Sequence, residues 1–230
     1  MRFKVQCTFD EKSQRWEVKI PPIPTARCLH GVLSLQSALV VAGGQINSSD
    51  DGDSYTNSVE VFKSDEKQWY RAVPLPVSLF NIPVVLLHDT CYVIGGYHDQ
   101  VLCQVYFTTI EALLNNTVLV DQTTDHLDGI WNTLPACTPN SQPAAVALAG
   151  YLLTIAGTSK DPDELPQKEV YVYSPLSSTW DPIGDLDSSQ EICTAIGLSS
   201  LEMLVIGGWT PEDGDKNTVM KGRLQFLPKQ

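Results

Sequence analysis

The stretch LVVAGGQINSSDDGDSYTNSVEVFKSDEKQW, residues 39–69, decides how this chain folds. It opens on an apolar run that ends in Gly43-Gly44 and then crosses a polar loop. It resumes as the alternating segment Val59-Glu60-Val61-Phe62, turns through SDEKQ and ends at Trp69. Short apolar or alternating runs bounded by glycine and polar turns read as strands joined by hairpins. The plan recurs along the chain. CYVIGG (91–96), LLTIAG (152–157) and MLVIGG (203–208) follow LVVAGG (39–44), with the first small residue at Gly43, Gly95, Ala156 and Gly207. The intervals are 52, 61 and 51 residues. A second series keeps the same phase: Phe9 with Trp16, Phe62 with Trp69 and Tyr173 with Trp180, each aromatic seven residues before its Trp. Trp131 belongs to this series, separated from VYF (105–107) by an insertion.

Working outward from the double glycine fills in each period. HGVLSL (30–35) and IPVVLL (82–87) each meet a short polar turn, Gln36-Ser37 or His88-Asp89, before the run into Gly-Gly. Each period therefore holds four short strands in up-and-down order. Helical patterning is confined to TTIEALLNN (108–116) in the insertion. The fold class is all-β, and four-stranded units of this period, set side by side around an axis, are blades of a β-propeller.

At this point the sequence resembles the kelch-repeat superfamily. The hallmarks are an apolar run into Gly-Gly, then a Tyr, then a Trp. They stand here as Gly43-Gly44 with Phe62 and Trp69, and as Ala156-Gly157 with Tyr173 and Trp180. Gly95-Gly96 is followed by Tyr106 and Trp131, and Gly207-Gly208 by Phe226 without a Trp. The departures are Phe for Tyr in places and Ala156 for one Gly. The resemblance implies a single kelch propeller over residues 1–230. It comprises a partial blade (1–24) and four double-glycine repeats at about 25–76, 77–138, 139–187 and 188–230. The repeating residues have physical reasons to recur. A Gly pair turns the backbone without a Cβ clash, and large aromatic plates fill the wedge between blades. Gly43, Gly44, Gly95, Gly96, Gly157, Gly207, Gly208, Trp16, Trp69, Trp131 and Trp180 are therefore read as structural, with Trp69 and Trp180 buried at equivalent places.

Strand counting predicts an incomplete ring. The chain begins in mid-period with a third and fourth strand, VQCTF (5–9) and RWEVKI (15–20). Its last repeat supplies strands around 191–199, 203–206 and 221–227. The expectation is that Met1 is not the natural start and that about one more blade lies upstream, its first segment lending the fourth strand of the last blade. The alternative is a short form that associates with itself through open propeller edges.

Composition excludes several classes. Hydrophobic residues make up 43% and charged residues 18% of 230 residues, too apolar for a disordered chain. The net charge of −12 lacks the basic excess that phosphate binding needs, so nucleic acid is not an expected partner. Runs such as Leu39 to Ala42 and Val84 to Leu87 fall far short of a membrane span, and no membrane partner is expected. The N-terminus MRFKVQCTFDEKSQRW has no secretory h-region. Cys7, Cys28, Cys91, Cys103, Cys137 and Cys193 form no CxxC pair and read as free thiols, which points to the cytoplasm.

The distinctive surface feature is acid in the loops after the double glycines. Residues 45–58 carry Asp50, Asp51 and Asp53, a balance of −3. Residues 158–168 carry Asp161, Asp163 and Glu164 against two lysines, and residues 209–218 carry Glu212, Asp213 and Asp215 against one. In kelch propellers these loops share a face with the inter-blade segments, here Thr25 to Arg27, Val77 to Phe80 and Asn140 to Gln142, and that face commonly binds partners. Solvated loops are the plain reading; a docking face for a basic protein is the functional one, and on it Arg27 and the nine acids line the partner site. DDGD (50–53) lacks the EF-hand order, His30, His88, His98 and His126 propose no ligand set, and no metal or cofactor is expected. No G-x-S-x-G, HExxH or phosphate loop is present. The resemblance implies a non-catalytic protein–protein interaction module, a recognition adaptor. The alternatives are an actin-associated scaffold and, third, an enzyme of the galactose oxidase type.

Overall fold

A computed structural model describes residues 8–17, 20–49, 52–98, 100–120, 129–134, 140–159 and 165–225. A hairpin of β1 (Thr8–Asp10) and β2 (Arg15–Glu17) comes first, with Phe9 opposite Trp16. The first blade contains β3 (Gly31–Ser34) and β4 (Ala38–Ala42). After a loop hairpin of β5 (Gln45–Ser49) and β6 (Gly52–Tyr55), β7 (Val59–Lys63) and β8 (Gln68–Ala72) complete it. The second blade runs β9 (Val84–Leu87), β10 (Thr90–Ile94), a small pair β11 (Tyr97–His98) and β12 (Gln100–Val101), then β13 (Val105–Thr109). The insertion follows as α1 (Ile110–Asn115) and β14 (Thr117–Leu119), and β15 (Asn132–Thr133) closes the blade.

The third blade is β16 (Ala144–Leu148), β17 (Tyr151–Ile155), β18 (Gln167–Ser174) and β19 (Thr179–Gln190). The fourth holds β20 (Thr194–Gly197) and β21 (Glu202–Ile206), a loop pair β22 (Trp209–Thr210) and β23 (Gly214–Asp215), and β24 (Val219–Arg223). All pairings are antiparallel, and the innermost strands β3, β9, β16 and β20 lie side by side in that order. This is a four-blade β-propeller arrangement with almost no helix.

The apolar runs that marked the repeat are the second strands β4, β10 and β17. Each is buried on both faces, β10 and β17 between two neighbouring blades and β4 between the second blade and the cluster around Ile23, so the sequence reads as a continuous run instead of an alternation. β21 alternates, since only one of its faces is covered. The cores accordingly lie between blades. One cluster joins blades one and two through Val40, Val61, Leu79 and Val93; others join blades two and three, and three and four. A fourth packs Ile23 beside Val41, Phe62 and Trp69.

The seven-residue spacing of aromatic and Trp is a cross-strand pair. Phe62 faces Trp69 and Tyr173 faces Trp180, with ring centroids 5.4 and 5.1 Å apart. In each hairpin the residue two before the Trp takes the left-handed conformation: Gln14, Lys67 and Ser178, with φ between 54° and 56°. The indole N–H then ties back to the linker of the preceding unit. Trp69 donates to the Pro21 carbonyl at 2.9 Å, and Trp131 to that of Val73 at 3.0 Å.

Two features depart from the sequence reading. Trp69 is buried, but Trp180 is only half-buried, and among the described residues no added strand like that of the first blade pairs with its sheet. That added strand comes from the insertion. Thr109 caps α1, its hydroxyl accepting from the Ala112 N–H at 3.2 Å, and the chain then turns back so that β14 pairs with β8 of the preceding blade. The first blade is thus a five-stranded sheet, and Val120 packs against the cluster that contains Trp69.

Candidate interaction face

The double glycines hold the blades together and aim the loops to one side. The first position of each pair has φ near +60°: Gly43 +61°, Gly95 +58°, Ala156 +56° and Gly207 +67°. The second is more extreme, at +105° for Gly44, +109° for Gly96, +98° for Gly157 and +122° for Gly208. An L-residue reaches the first conformation at a cost but not the second, which is why the one exception, Ala156, stands at a first position. A Cβ on Gly44 would lie 2.8 Å from the Cys28 carbonyl oxygen, and one on Gly157 2.3 Å from that of Ser141. The second glycine also stitches blades together. The Gly44 N–H donates to the Leu79 carbonyl at 2.7 Å, and the Gly157 N–H to that of Gln190, where β19 leads into the fourth blade, at 3.0 Å.

Beyond each seam the chain makes a second recurrent distortion. Leu29, Asn81, Gln142 and Ile192, one per blade, all adopt φ between 47° and 55°. None is glycine, and left-handed backbone costs an ordinary residue roughly 1–2 kcal/mol. Leu29, Asn81 and Gln142 line a cavity of about 360 Å³ on the axis, whose walls are the first residues of β3, β9, β16 and β20, and Ile192 directly precedes Cys193 of that wall. The Asn81 amide donates to Gln142 Oε1 at 2.5 Å, and the Asn81 N–H to the Leu29 carbonyl at 2.7 Å. Leu29 and Ile192 are exposed. The bridges Cys28–Gln45, Phe80–Tyr97, Ser141–Thr158 and Glu191–Trp209 set the loops after the double glycines on this same face.

An aromatic cluster stands on the seam between blades one and two. The Tyr55 and Phe80 rings stack with centroids 4.5 Å apart, and Tyr97 lies 5.3 Å from Phe80 at a tilt. All three are half-buried. The sequence named Phe80 within an inter-blade segment but gave no role to Tyr55 or Tyr97, whose one local mark is their position in the loops that follow Gly44 and Gly96.

Among the acids, Glu212 and Asp213 sit exposed in the turn between β22 and β23, and Asp215 is exposed within β23. Asp213 is 3.8 Å from Lys216. Asp53 lies in β6. Asp50, Asp51, Asp161, Asp163 and Glu164 fall outside the described residues.

Arg27 requires a correction. The expectation of an exposed docking residue fails, because Arg27 is 3% exposed and its guanidinium lies 3.2 Å from Glu60. It donates to the carbonyls of Gly43 at 2.7 Å and Ser58 at 3.1 Å, while Glu60 accepts from the Thr25 hydroxyl at 2.6 Å. Asn140 does the same work in the third repeat, donating to the Ala156 carbonyl at 3.1 Å. Burial pulls the Arg27 pKa down, and Glu60 opposes the shift. Burial, then the charge of Arg27, also lowers that of His30. Cys28, Cys91, Cys103 and Cys193 carry free thiols, and burial pushes that of Cys91 up to about 12. No His, Cys, Asp and Glu grouping suited to a metal occurs among the described residues, nor any helix long and apolar enough to cross a membrane.

Comparison with known proteins agrees with this architecture. The Kelch motif profile matches residues 26–76, the first full repeat. Kelch-like protein 41a of Danio rerio is 24% identical over 220 residues, 94% of this chain and 33% of the relative. Kelch-like protein 40 of Homo sapiens is 35% identical over 89 residues, 38% of this chain and 14% of the relative. Kelch-like protein 40a of Danio rerio is 28% identical over 95 residues, 41% and 15% respectively. The chain spans about a third of the length of the relative it matches most fully. With one blade plan repeated around a common axis, a kelch motif on its first full repeat and similarity to kelch-like proteins along its length, the chain is a kelch-repeat β-propeller.

Proposed function

We propose that this propeller is a non-catalytic recognition module that docks a protein on its loop face, the adaptor role, in the cytoplasm. The observation that carries the reading is the recurrence, once per blade, of a left-handed, non-glycine residue lining the axial cavity or next to it. Four repeats each hold a costly conformation, and two of the four, Leu29 and Ile192, show large apolar side chains to solvent. Strain kept where packing does not demand it is a mark of function. Free thiols at Cys28, Cys91, Cys103 and Cys193 accord with a reducing compartment.

The test is site-specific photo-crosslinking in extract of the source cell. Probes at Leu29 and Glu212 report on the loop face; probes at Asp89 and Leu176 report on the opposite turns. Selective capture at the first pair supports the reading, and equal capture at both faces contradicts it. The identity of the captured protein separates an adaptor from an actin-associated scaffold.

A second reading has its own observation. Among the described residues the fourth blade has three strands, with β24 at the edge and Val219 exposed. Beside it lies a cavity of about 900 Å³ floored by Val170, Val172, Met203, Val205 and Met220. Such an edge accepts another strand, and self-association of the chain through it is the proposal. Light scattering across a concentration series tests it: a mass that stays monomeric throughout would sink it.

A further inference from the structure

We infer that the aromatic cluster Tyr55–Phe80–Tyr97 is the seat of an arginine side chain from the docked protein; this rests on the loop-face reading and names the chemistry of the partner. The cluster is not required by the fold. The equivalent bridge is Cys28–Gln45 in the first blade, Ser141–Thr158 in the third and Glu191–Trp209 in the fourth, so the other seams form without a pair of rings. At the loop end of this seam the chain places three aromatic rings from three separate segments, with centroids 4.5 and 5.3 Å apart. Each remains half-exposed at the loop end of the molecule.

Ring faces carry the negative lobe of the aromatic quadrupole and attract cations. The charge of the flanking sequence has the same preference. Residues 45–58, which contain Tyr55, hold three acids and neither Lys nor Arg, and residues 95–104, which contain Tyr97, hold Asp99 and neither Lys nor Arg. Arg27, buried at the start of the first repeat, is neutralised by Glu60 at 3.2 Å. An anionic segment would meet like charge here. Among cations, a planar guanidinium lies flat on a ring and sheds water more readily than an ammonium, which selects arginine over lysine.

The experiment uses the whole chain and three labelled peptides, glycine alternating with arginine, lysine or glutamate, titrated at low salt by fluorescence anisotropy. The arginine peptide is expected to bind about fivefold tighter than the lysine peptide, with the glutamate peptide weakest. Tyr55→Leu with Tyr97→Leu, at unchanged charge, should remove the arginine preference; Tyr55→Phe with Tyr97→Phe keeps the ring faces and should retain it. Melting curves accompany each variant, and the Phe pair together with the wild-type ranking decides the matter if the Leu pair fails to fold. Equal binding of arginine and glutamate peptides, or an arginine preference that survives the Leu pair, overturns the inference. If crosslinks from Leu29 and Glu212 persist when the ranking fails, the arginine seat falls and the loop face stands; if those crosslinks fail, the loop-face reading itself falls.

Discussion

The seams between blades and the face that carries the loops are made by the same four repeats, yet the repeats agree at the seams and diverge on the face. At the seams the double-glycine positions fall within narrow ranges of φ, 56–67° for the first and 98–122° for the second. On the face, the bridge next to the axis is built in turn from Cys28 and Gln45, Phe80 and Tyr97, Ser141 and Thr158, Glu191 and Trp209. The backbone is held constant while the side chains vary. Geometry fixes one residue type at the seam. On the face each repeat meets the same backbone with different side chains, some buried like Ser141 and Thr158 and others open like Leu29 and Ile192, and there a partner can be chosen.

The sharpest way to break this contrast is at the seam of the first blade. Trp69→Ala should cost roughly 3–5 kcal/mol, most of a modest domain's stability. Glu60→Ala should cost about as much, by leaving the buried Arg27 without its counter-charge. Trp180→Ala removes the same group from a half-buried site and should cost clearly less. Denaturant melts of the three variants check the order, and equal losses at Trp69 and Trp180 would contradict the burial difference.

The two glycines of one pair give a finer test. Gly96→Ala meets both a forbidden φ and Ile82 Cγ2 at 2.4 Å, and should cost more than about 2 kcal/mol. Gly95→Ala has its nearest neighbour at 3.2 Å and a φ that Ala156 already adopts, and should cost about 1 kcal/mol.

A smaller effect belongs to His30, next to the axis. Its folded pKa is lowered by burial and by Arg27, so the unfolded chain takes up the proton first. The contribution of His30 is therefore full above about pH 6.5 and is lost as pH falls through the folded value. Thermal melts between about pH 7.5 and 5.5 should fall less for His30→Gln than for the parent chain. The least effect on stability is expected from reversing Asp50, Asp51 and Asp53 to Lys, which should change it by less than about 0.5 kcal/mol. The same change should slow association with a basic partner and flatten its salt dependence.

The seams were legible in the sequence because their signals are local: LVVAGG is a strand and a turn, and Phe62 with Trp69 is one hairpin. What escaped depends on contacts between distant segments. Arg27 looks like a loop cation until Glu60, 33 residues on, is seen to lie 3.2 Å away. β14 pairs with a strand of the preceding blade, and no spacing announces that the insertion doubles back. Leu29, Asn81, Gln142 and Ile192 recur in left-handed backbone with no glycine to flag it. Tyr55, Phe80 and Tyr97 come from three segments that only the propeller brings together.

The claim that the repeats build the frame and the loop face does the binding is tested most directly by hydrogen exchange on the chain alone and with its crosslink-identified partner. Slower exchange confined to the loop face, in segments 28–30, 54–56, 79–82, 97–98, 140–142, 190–192 and 209–215, with the opposite turns at 36–37, 88–89 and 199–200 unchanged, is the expected result. Protection at those turns with none around the axis would contradict it.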